Sequence, residues 1–345
     1  MPDQRPVAIT LGDAAGIGPE IIAKAFAHPS AARGCVVFGD AGIMQHALDL
    51  LKWEPKLNVA VISDLTQAQT LPNGVIPVWQ VGAAIDPPPW GQVSATTGRL
   101  AADCVRAAAH AALHGQVQAV VTAPLNKTGL AAAGESFPGH TELLQSLAAN
   151  HLGVSVDQLP VRMMLANPEL RTVLVSIHVS LRQAIDAVTV DNVLQTLRIA
   201  HNSLRNAQGG PPRLALAGLN PHAGEGGLMG REEIDILEPA LELARSLGID
   251  ASGPYPPDTV FMRARASHGQ ANAIDAVVAM YHDQGLIPVK YMGLAHGVNV
   301  TLGLPFVRTS PDHGTAYDIA GQGVADPSSL LAALDMARTL SARVA

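Results

Sequence analysis

Three histidines stand where metal chemistry is often found, directly after apolar runs of the β-strand type. They are His178 after residues 172–177, His222 after residues 214–221 and His282 after residues 275–281. If these runs are parallel strands, their carboxyl ends share one edge of a sheet, where α/β proteins bind ligands. Three neutral imidazoles are sufficient to hold Zn²⁺ and leave a position open for substrate. No local zinc motif links them, so hydrogen bonding of each ring to the backbone stays an open alternative.

Basic residues are few, and three of them lie near glycines or strand ends: Lys127, Lys290 and Arg308. The stretch 139–142 reads Gly-His-Thr-Glu and precedes an apolar helix, with Thr141 as its expected N-cap. The free amides of a helix start favour an anion, and a neighbouring histidine can add a donor. These residues indicate a small substrate with a phosphate or carboxylate group. A capped helix with ordinary surface cations is the alternative.

Two glycine-rich loops lie between strand-like and helical segments. Residues 12–20 space their glycines as Gly-x-x-x-Gly-x-Gly, which is not the Gly-x-Gly-x-x-Gly pattern of a Rossmann dinucleotide site. A tight βα turn and a ligand contact both remain open for this loop. Residues 220–227 allow the backbone to approach a ligand closely. They lack the Lys-Ser/Thr ending of a nucleoside triphosphate loop, which disfavours a kinase.

Short β-type runs alternate with Ala/Leu-rich helical stretches along the chain, which predicts an α/β fold with a mostly parallel sheet. The strand-like runs are residues 7–11, 35–38, 58–62, 119–122, 171–177, 213–219, 273–280 and 298–302. Continuous apolar strands suit a sheet covered on both faces by helices. With 345 residues, the chain is expected to form two α/β/α domains with a cleft between them.

Composition excludes several classes of partner. Apolar residues make up 48% and charged residues 15%, so the chain has ample material for a core and is not disordered. A net charge of −7 without any basic run disfavours nucleic acid and anionic membranes. The N-terminus lacks the apolar core of a signal peptide, and no window is long enough for a membrane span. We expect a cytoplasmic protein in which Cys35 and Cys104 are buried free thiols.

Three blocks of the chain resemble the 4-hydroxythreonine-4-phosphate dehydrogenase family, NAD-dependent enzymes of pyridoxal phosphate synthesis. The blocks are residues 220–230, 281–286 and 297–310. The family is similar in fold to isocitrate and isopropylmalate dehydrogenases, whose cofactor site is not of the Rossmann type. The resemblance therefore implies a discontinuous NAD-binding domain, residues 1–127 plus 296–345. Residues 128–295 would form a metal-binding and dimerisation domain.

The resemblance also implies roles for individual residues. The family's metal ligands match His178, His222 and His282, and they come from both subunits, which implies a homodimer with shared sites. The substrate-contacting positions match His140, Thr141, Lys290, Asn299 and Arg308. Residues 312–321 look like the family's adenosine-binding loop, so the expected NAD-binding residues are His313, Gly314, Thr315 and Asp318. A carboxylate at position 318 would accept hydrogen bonds from ribose hydroxyls and repel a 2′-phosphate.

The implied reaction is oxidation of 4-phosphohydroxy-L-threonine to a 3-keto acid, with decarboxylation to 3-amino-2-oxopropyl phosphate. A divalent metal, Zn²⁺ with Mg²⁺ or Co²⁺ as substitutes, would chelate the substrate hydroxyl and lower its pKa. Arg308, Lys290 and the helix start at Thr141 would hold the phosphate. The general base is not identified by the resemblance, and Lys127 and Asp283 are the candidates.

The substrate is less well defined than the reaction. Asn126 stands where some relatives carry His, and residues 176–182 also depart from the best-known members. Such variants resemble a branch that acts on 4-phospho-D-threonate and 4-phospho-D-erythronate, and a further branch oxidises aromatic cis-dihydrodiols. An alternative of another class is a non-redox metal hydrolase that uses the same three histidines, although it would not need an adenosine-binding loop.

Overall fold

The computed structural model describes residues 5–53, 57–205, 209–293 and 296–342. Its contacts divide the chain into two compact units. The first unit consists of Met1–Leu159 with Leu304–Ala345, and the second of Pro160–Gly303. The chain therefore leaves the first unit once and returns to it near its end.

The first unit is built on six parallel strands. They are β1 (Val7–Thr10), β2 (Cys35–Gly39), β3 (Asn58–Val61), β4 (Val75–Gln80), β5 (Ala119–Thr122) and β12 (Val307–Pro311). Their order is β3-β4-β2-β1-β5-β12, and each neighbouring pair is parallel. Every residue of β1, β2 and β5 is buried, as expected for apolar strands covered on both faces. Because the strands run parallel, the loops after β1, β5 and β12 leave from the same edge.

Seven α-helices of the first unit fall within the described residues. They are α1 (Gly18–Phe26), α2 (Pro29–Ala32), α3 (Ala41–Leu51), α4 (Ala95–Leu113), α5 (Lys127–Ala132), α6 (His140–Leu152) and α12 (Ser328–Ser341). Ser94 caps α4 by accepting from the Thr97 amide, and α4 packs on β1, β2 and β5. Pro19 lies in the first turn of α1, where its missing N–H would have no helical partner in any case.

The boundaries between the units lie at 159/160 and 303/304, whereas the expected boundaries were 127/128 and 295/296. Residue 295 lies outside the described residues. Helices α5 and α6 both pack on α4, and Leu143 and Leu144 of α6 form an apolar cluster with Val105 and Ala109 of α4. Burial of this face places residues 128–159 in the first unit. Sequence periodicity identifies the apolar face but not the element that covers it.

The second unit also contains six strands. They are β6 (Arg162–Ala166), β7 (Arg171–Leu174), β8 (Leu214–Ala217), β9 (Ala251–Tyr255), β10 (Ala276–Ala279) and β11 (Val298–Leu302). Their order is β11-β6-β7-β10-β8-β9. Strands β7, β10, β8 and β9 are parallel, whereas β6 is antiparallel to both β11 and β7. Pairing of β11 with β6 along its whole length places residues 298–302 in the second unit instead of the first.

Five α-helices are described in the second unit. They are α7 (Leu181–Asp186), α8 (Val190–Ser203), α9 (Glu238–Ser246), α10 (Val260–Ser267) and α11 (His282–Tyr291). The core joins strand residues such as Leu174, Ala217 and Val277 to Phe261 of α10 and Leu286 of α11. The structure thus confirms the predicted α/β class.

Two other expectations from the sequence concern the cysteines and the membrane. Cys35 and Cys104 are buried free thiols, as predicted, and burial raises the pKa of Cys35 to about 11. In the part of the chain that the structure describes, no helix has both the length and the apolar character needed to cross a membrane.

Candidate active site

The three candidate metal ligands lie beyond the carboxyl ends of three adjacent parallel strands. Strand β10 lies between β7 and β8, and its register pairs Ala279 with Leu174 and Val278 with Leu216. His178 follows β7, His222 follows β8 and His282 begins α11 directly after β10. The strand topology therefore brings all three residues to one edge of the second unit, as their positions in the sequence predicted.

Two of these histidines lie side by side. The ring centroids of His178 and His282 are 5.7 Å apart, and the rings are tilted by 46°. The Ser176 hydroxyl donates to the Met280 carbonyl over 3.0 Å, which links the two segments just before the two histidines. His282 Nδ1 lies 2.7 Å from Asp283 Oδ1. A carboxylate on Nδ1 orients an imidazole and leaves Nε2 for a metal ion.

His222 lies in a left-handed turn. Residues His222 to Gly226 all have positive φ, between 44° and 78°, including the non-glycine residues Ala223 and Glu225. Among the described residues, no set of three His, Cys, Asp or Glu side chains is placed to hold a metal ion. One chain thus brings together His178 and His282, and it does not complete a three-histidine site with His222.

A buried carboxylate, Glu233, supports this turn. Glu233 is 2% exposed, and its Oε1 accepts from the Leu219 and Asn220 amides, each over 2.8 Å. Its Oε2 accepts from Asn220 Nδ2 over 2.9 Å. A Cβ on Gly224 would come within 2.7 Å of Glu233 Oε2, so this position requires glycine for space as well as for its positive φ.

The first unit contains a buried cationic group at the same edge as the ends of its strands. Arg308 of β12 is 3% exposed and donates to Thr122 Oγ1 over 2.6 Å. Burial lowers the pKa of Arg308 to about 10, against the opposing effect of the Glu142 carboxylate. The guanidinium remains charged at neutral pH and is held at the end of β5. Thr122 was part of a predicted strand, but nothing in the sequence marked it as a partner of Arg308.

His140 lies beside this arginine. Helix α6 begins at His140 with Gly139 as its N-cap, so the expectation that Thr141 caps the helix is wrong. Burial and the Arg308 charge hold the pKa of His140 well below its usual value, although a hydrogen bond to the Ala123 backbone opposes them. Nε2 is buried and has no hydrogen-bond partner in the described part of the chain, so Nδ1 makes the bond to Ala123.

The arrangement around His140 fits a polar ligand. A neutral ring that donates through Nδ1 offers Nε2 as an acceptor, and a buried acceptor without a partner is costly unless a ligand satisfies it. Arg308 offers donors nearby. A Cβ on Gly139 would lie 4.0 Å from Lys127 Cε, so the exposed Lys127 is close to the same helix start.

The expected substrate-contacting residues belong to both units. His140, Thr141 and Arg308 lie in the first unit, and Lys290 and Asn299 in the second. Lys290 is exposed near the end of α11, and Asn299 pairs with Leu165 across β11 and β6.

The four expected NAD-binding residues follow β12 in the first unit. His313 Nδ1 lies 3.0 Å from the Gly314 carbonyl oxygen, and a Cβ on Gly314 would meet open space. The Thr315 carbonyl accepts from the Ile17 amide over 3.0 Å. Asp318 is exposed, and its carboxylate has no hydrogen-bond partner within the described residues. An exposed acceptor on a loop anchored by backbone contacts fits a ligand that carries hydroxyl groups.

Known proteins resemble this chain over nearly its whole length. The family model described as pyridoxal phosphate biosynthetic protein PdxA matches residues 31–337. A 4-hydroxythreonine-4-phosphate dehydrogenase of Beijerinckia indica subsp. indica is 49% identical over 97% of this chain and 95% of its own length. A D-threonate 4-phosphate dehydrogenase of Salmonella typhimurium is 42% identical over 98% of this chain and 100% of its own.

Solved structures show the same relationship. A crystal structure of 4-hydroxythreonine-4-phosphate dehydrogenase from Klebsiella pneumoniae, at 40% identity, superposes with a TM-score of 0.84 and covers 98% of this chain and 99% of that chain. A terephthalate 1,2-cis-dihydrodiol dehydrogenase from Burkholderia xenovorans is 31% identical, with a TM-score of 0.66, over 97% of this chain and 98% of that chain. The chain belongs to the PdxA family of pyridoxal phosphate biosynthetic proteins.

Proposed function

We propose that this protein is an NAD-dependent dehydrogenase that oxidises 4-phosphohydroxy-L-threonine at its C3 hydroxyl in pyridoxal phosphate synthesis. The product is a 3-keto acid, which loses CO₂ to give 3-amino-2-oxopropyl phosphate. The observation that carries the proposal is the 49% identity, over 97% of the chain, with the Beijerinckia indica 4-hydroxythreonine-4-phosphate dehydrogenase. Each turnover moves a hydride from C3 to NAD⁺ and releases the hydroxyl proton.

Arg308 is the proposed anchor of the substrate phosphate. Its planar guanidinium forms paired hydrogen bonds with phosphate oxygens, and burial strengthens them because water competes less. The free amides at the start of α6, after Gly139, add donors of fixed direction. Lys290 would supply a further positive charge, Thr141 its hydroxyl and Asn299 its amide. The His140 Nε2 atom is suited to accept a hydrogen bond from a substrate hydroxyl.

The residues after β12 would hold NAD. We assign this role to His313, Gly314, Thr315 and Asp318. The bound cofactor supplies the hydride acceptor. The Asp318 carboxylate is free to accept from both ribose hydroxyls of the adenosine, and its charge disfavours the 2′-phosphate of NADP. This position supports NAD as the cofactor.

The donor set of the second unit fits a divalent metal in part. His178 and His282 provide two imidazoles side by side, and Asp283 fixes the ring of His282. Imidazole ligands favour Zn²⁺ or Co²⁺ over Mg²⁺, which prefers oxygen. A bound metal lowers the pKa of a coordinated substrate hydroxyl. The third imidazole, His222, would come from a second copy of the chain.

Exposed apolar side chains around the histidines support a homodimer. Leu181 and Ile185 lie one turn apart on α7 and are 59% and 43% exposed, and Ile287 and Tyr291 on α11 are 63% and 91% exposed. Leu228, just after the His222 turn, is 79% exposed. Apolar side chains clustered near functional residues in this way mark an interface.

The proton acceptor is proposed to be Lys127, because the alternative, Asp283, already bonds to His282. Lys127 is the first residue of α5 and lies near the start of α6. As a neutral amine it would take the hydroxyl proton when the hydride leaves C3.

A second candidate substrate is 4-phospho-D-threonate, which the 42% identity to the Salmonella typhimurium enzyme favours. Asn126, which stands where some relatives carry His, caps α5 by accepting from the Gly129 amide over 2.9 Å. The amide oxygen therefore has a structural role here. An aromatic cis-dihydrodiol lacks the phosphate that would match the buried Arg308, which makes it a weaker candidate than either phosphorylated acid.

NADH production from purified enzyme, followed at 340 nm, tests the proposal. The substrates compared are 4-phosphohydroxy-L-threonine, 4-phospho-D-threonate, 4-phospho-D-erythronate and a cis-dihydrodiol, each with and without EDTA. Highest kcat/KM with the first substrate, and loss of activity with EDTA, are expected. Highest kcat/KM with another substrate would reassign the substrate. No NADH from any of them, together with no NAD⁺ binding, would favour a metal hydrolase.

A further inference from the structure

We propose that Asp13 and Tyr317 form a positioning pair that holds the NAD-binding loop in its binding conformation. The proposal rests on the assignment of NAD to residues 313–318. It gives a role to the first glycine-rich loop, residues 12–18, which matched no dinucleotide pattern. In this role the loop acts on cofactor affinity through a hydrogen bond to a second loop, about 300 residues later in the chain.

Asp13 is completely buried at the end of the first strand region. One of its oxygens, Oδ1, accepts from the Ala15 amide over 2.9 Å, which fixes the direction of the carboxylate. The other, Oδ2, accepts from the Tyr317 hydroxyl over 2.6 Å. Burial and the bond to Asp13 both raise the pKa of Tyr317, so the phenol remains a donor over the whole physiological range. At 2.6 Å, the pair has the length of a hydrogen bond from a phenol to a carboxylate.

The pair holds a strained residue. Ala316, directly before Tyr317, has φ +42°, in the left-handed region that side chains with a Cβ disfavour. The residue before it, Thr315, is fixed by the Ile17 amide, which donates to its carbonyl over 3.0 Å. Anchors on both sides of Ala316 come from the same glycine-rich loop. A strained residue persists only where its surroundings determine it, and Asp318 lies just beyond the second anchor.

The segment that follows the NAD-binding loop has a separate anchor on α1, at Gly323 and Ala325. The buried Glu20 accepts from the Ala325 amide over 2.7 Å and from Lys24 Nζ over 2.8 Å. Lys24 Nζ in turn donates to the Gly323 and Ala325 carbonyls, over 2.9 and 2.6 Å. Because this second anchor stays in place when the Tyr317 hydroxyl is removed, the loop should loosen near residue 318 without leaving the protein.

Close contacts with the NAD-binding loop explain why positions 16 and 91 are glycine. A Cβ on Gly16 would come within 3.0 Å of Thr315, and one on Gly91 within 2.8 Å of the Tyr317 carbonyl. The Gly91 amide donates to the Ala15 carbonyl over 2.8 Å. Gly16 therefore allows the close approach of the neighbouring loop, whereas a Cβ on Gly12 or Gly18 would meet Pro124 or Leu11.

The test is Tyr317→Phe, which removes the hydroxyl and keeps the ring. NAD⁺ binding is measured by calorimetry, together with kcat, the KM values for NAD⁺ and substrate, and the Tm of the ligand-free enzyme. Tyr255→Phe, in the second unit, is the matched control. We expect the Kd and KM for NAD⁺ to rise about 10-fold, the usual effect of losing one charge-assisted hydrogen bond. The kcat and the substrate KM should stay close to those of the control, whereas the Tm should fall modestly, because Asp13 Oδ2 is left buried without its donor.

Asp13→Asn provides the second variant. Its amide can still accept from Ala15 and donate to the phenol oxygen, so the Kd for NAD⁺ should lie between those of wild type and Tyr317→Phe. An unchanged Kd for NAD⁺ in Tyr317→Phe would overturn the inference. The proposed function would stay intact in that case, because the wild-type enzyme would still bind NAD⁺. Equal rises in the Kd for NAD⁺ in Tyr317→Phe and in the Tyr255→Phe control would also overturn the inference, because the loss of a hydroxyl outside this loop would then have the same effect. A wild-type enzyme that binds no NAD⁺ would reject both the proposed function and the inference.

Discussion

A buried arginine and a neutral histidine at the end of one strand region define the electrostatics of the proposed phosphate site. Arg308 keeps its charge with a pKa of about 10, although burial disfavours it, and the Glu142 carboxylate compensates in part. His140 next to it is held neutral. A buried cation next to a neutral acceptor can bind a phosphate and a hydroxyl of the same ligand. This selectivity comes from individual side chains and not from the net charge of −7.

The first prediction concerns the shape of the cation. Arg308→Lys keeps the charge but loses the planar fork and the bond to Thr122, so the KM for the phosphorylated substrate should rise. Loss of one or two charge-assisted hydrogen bonds corresponds to a rise in KM of about 10- to 100-fold. Steady-state kinetics at saturating NAD⁺ measure this KM. Arg99→Lys, at a surface ion pair with Glu135, is the control and should have the wild-type KM. A wild-type KM in Arg308→Lys would remove Arg308 from the phosphate site.

The second prediction is a pH dependence of stability. The pKa of His140 is lower in the folded protein than the value of about 6.5 in the unfolded chain. Below pH 6.5 the unfolded state binds the extra proton, so unfolding becomes easier as the pH falls. The free energy of unfolding should lose up to about 1.4 kcal/mol per pH unit from this group.

Urea denaturation between pH 5 and 8 measures how the free energy of unfolding depends on pH. His140→Gln should have a shallower pH dependence below pH 6.5 than wild type. His268→Gln, which changes an exposed histidine, should keep the wild-type slope. Identical slopes in wild type and His140→Gln would contradict the effect of burial on His140.

At the scale of elements, the turn 222–226 is the least regular part of the proposed metal site. Its left-handed non-glycine residues are disfavoured by about 1 kcal/mol or more each, so other contacts must hold them. Glu233 provides the main contacts, because its carboxylate accepts hydrogen bonds from the backbone where the turn begins. Gln284 adds a link between α11 and this region, since its Nε2 donates to the Gly218 carbonyl over 2.7 Å.

The third prediction tests this support. Glu233→Gln replaces one acceptor oxygen by a donor amide facing other donors, so His222 should lose its fixed position. Metal affinity, measured by calorimetry with Zn²⁺ and Co²⁺, should fall about 10-fold or more, the usual effect of removing an outer contact of a metal ligand. Glu232→Gln is the matched control, because Glu232 bonds to the Asn220 side chain and not to the backbone of the turn. Equal Zn²⁺ affinity in the two variants would show that Glu233 does not position His222.

Sequence patterns predicted many of these elements because their physics is local. The apolar runs at β1, β2, β5 and β10 are continuous, and the structure contains strands there. Strands β4, β6, β9 and β12 were not predicted. Pro77 interrupts β4, Gly253 and Pro254 interrupt β9, and β6 lacks β-branched residues, so none of these three has a typical strand composition. Pairing with neighbouring strands determines these elements.

The residues of the candidate site also fall into those that local sequence predicts and those that depend on strand pairing. The positions of the three histidines after strands could be read from the sequence, since a strand end is a local feature. The Arg308–Thr122 and Asp13–Tyr317 bonds could not, because they join residues 186 and 304 positions apart. No periodicity or motif connects such residues. Only the order of strands in the sheet brings them together.

At the scale of the whole molecule, the described residues of one chain provide two neighbouring imidazoles and exposed apolar side chains on α7 and α11. A second copy would bury Leu181, Ile185, Ile287 and Tyr291 and could bring its own His222 to the pair. The fourth prediction follows from a site that contains side chains of two subunits. Inactive variants with different missing ligands should then restore activity when they are mixed within one dimer.

Co-expressed His222→Ala and His282→Ala chains, purified as a heterodimer with two tags, test this arrangement. Each homodimer should be inactive. In the heterodimer, His222 of the second variant can join His178 and His282 of the first, so one of two sites is complete and about half of the wild-type kcat is expected. Co-expressed His178→Ala and His282→Ala chains are the control, because these two residues are neighbours in one chain and every site would lack one of them. An inactive first heterodimer would mean that His222 and His282 of each site come from the same subunit.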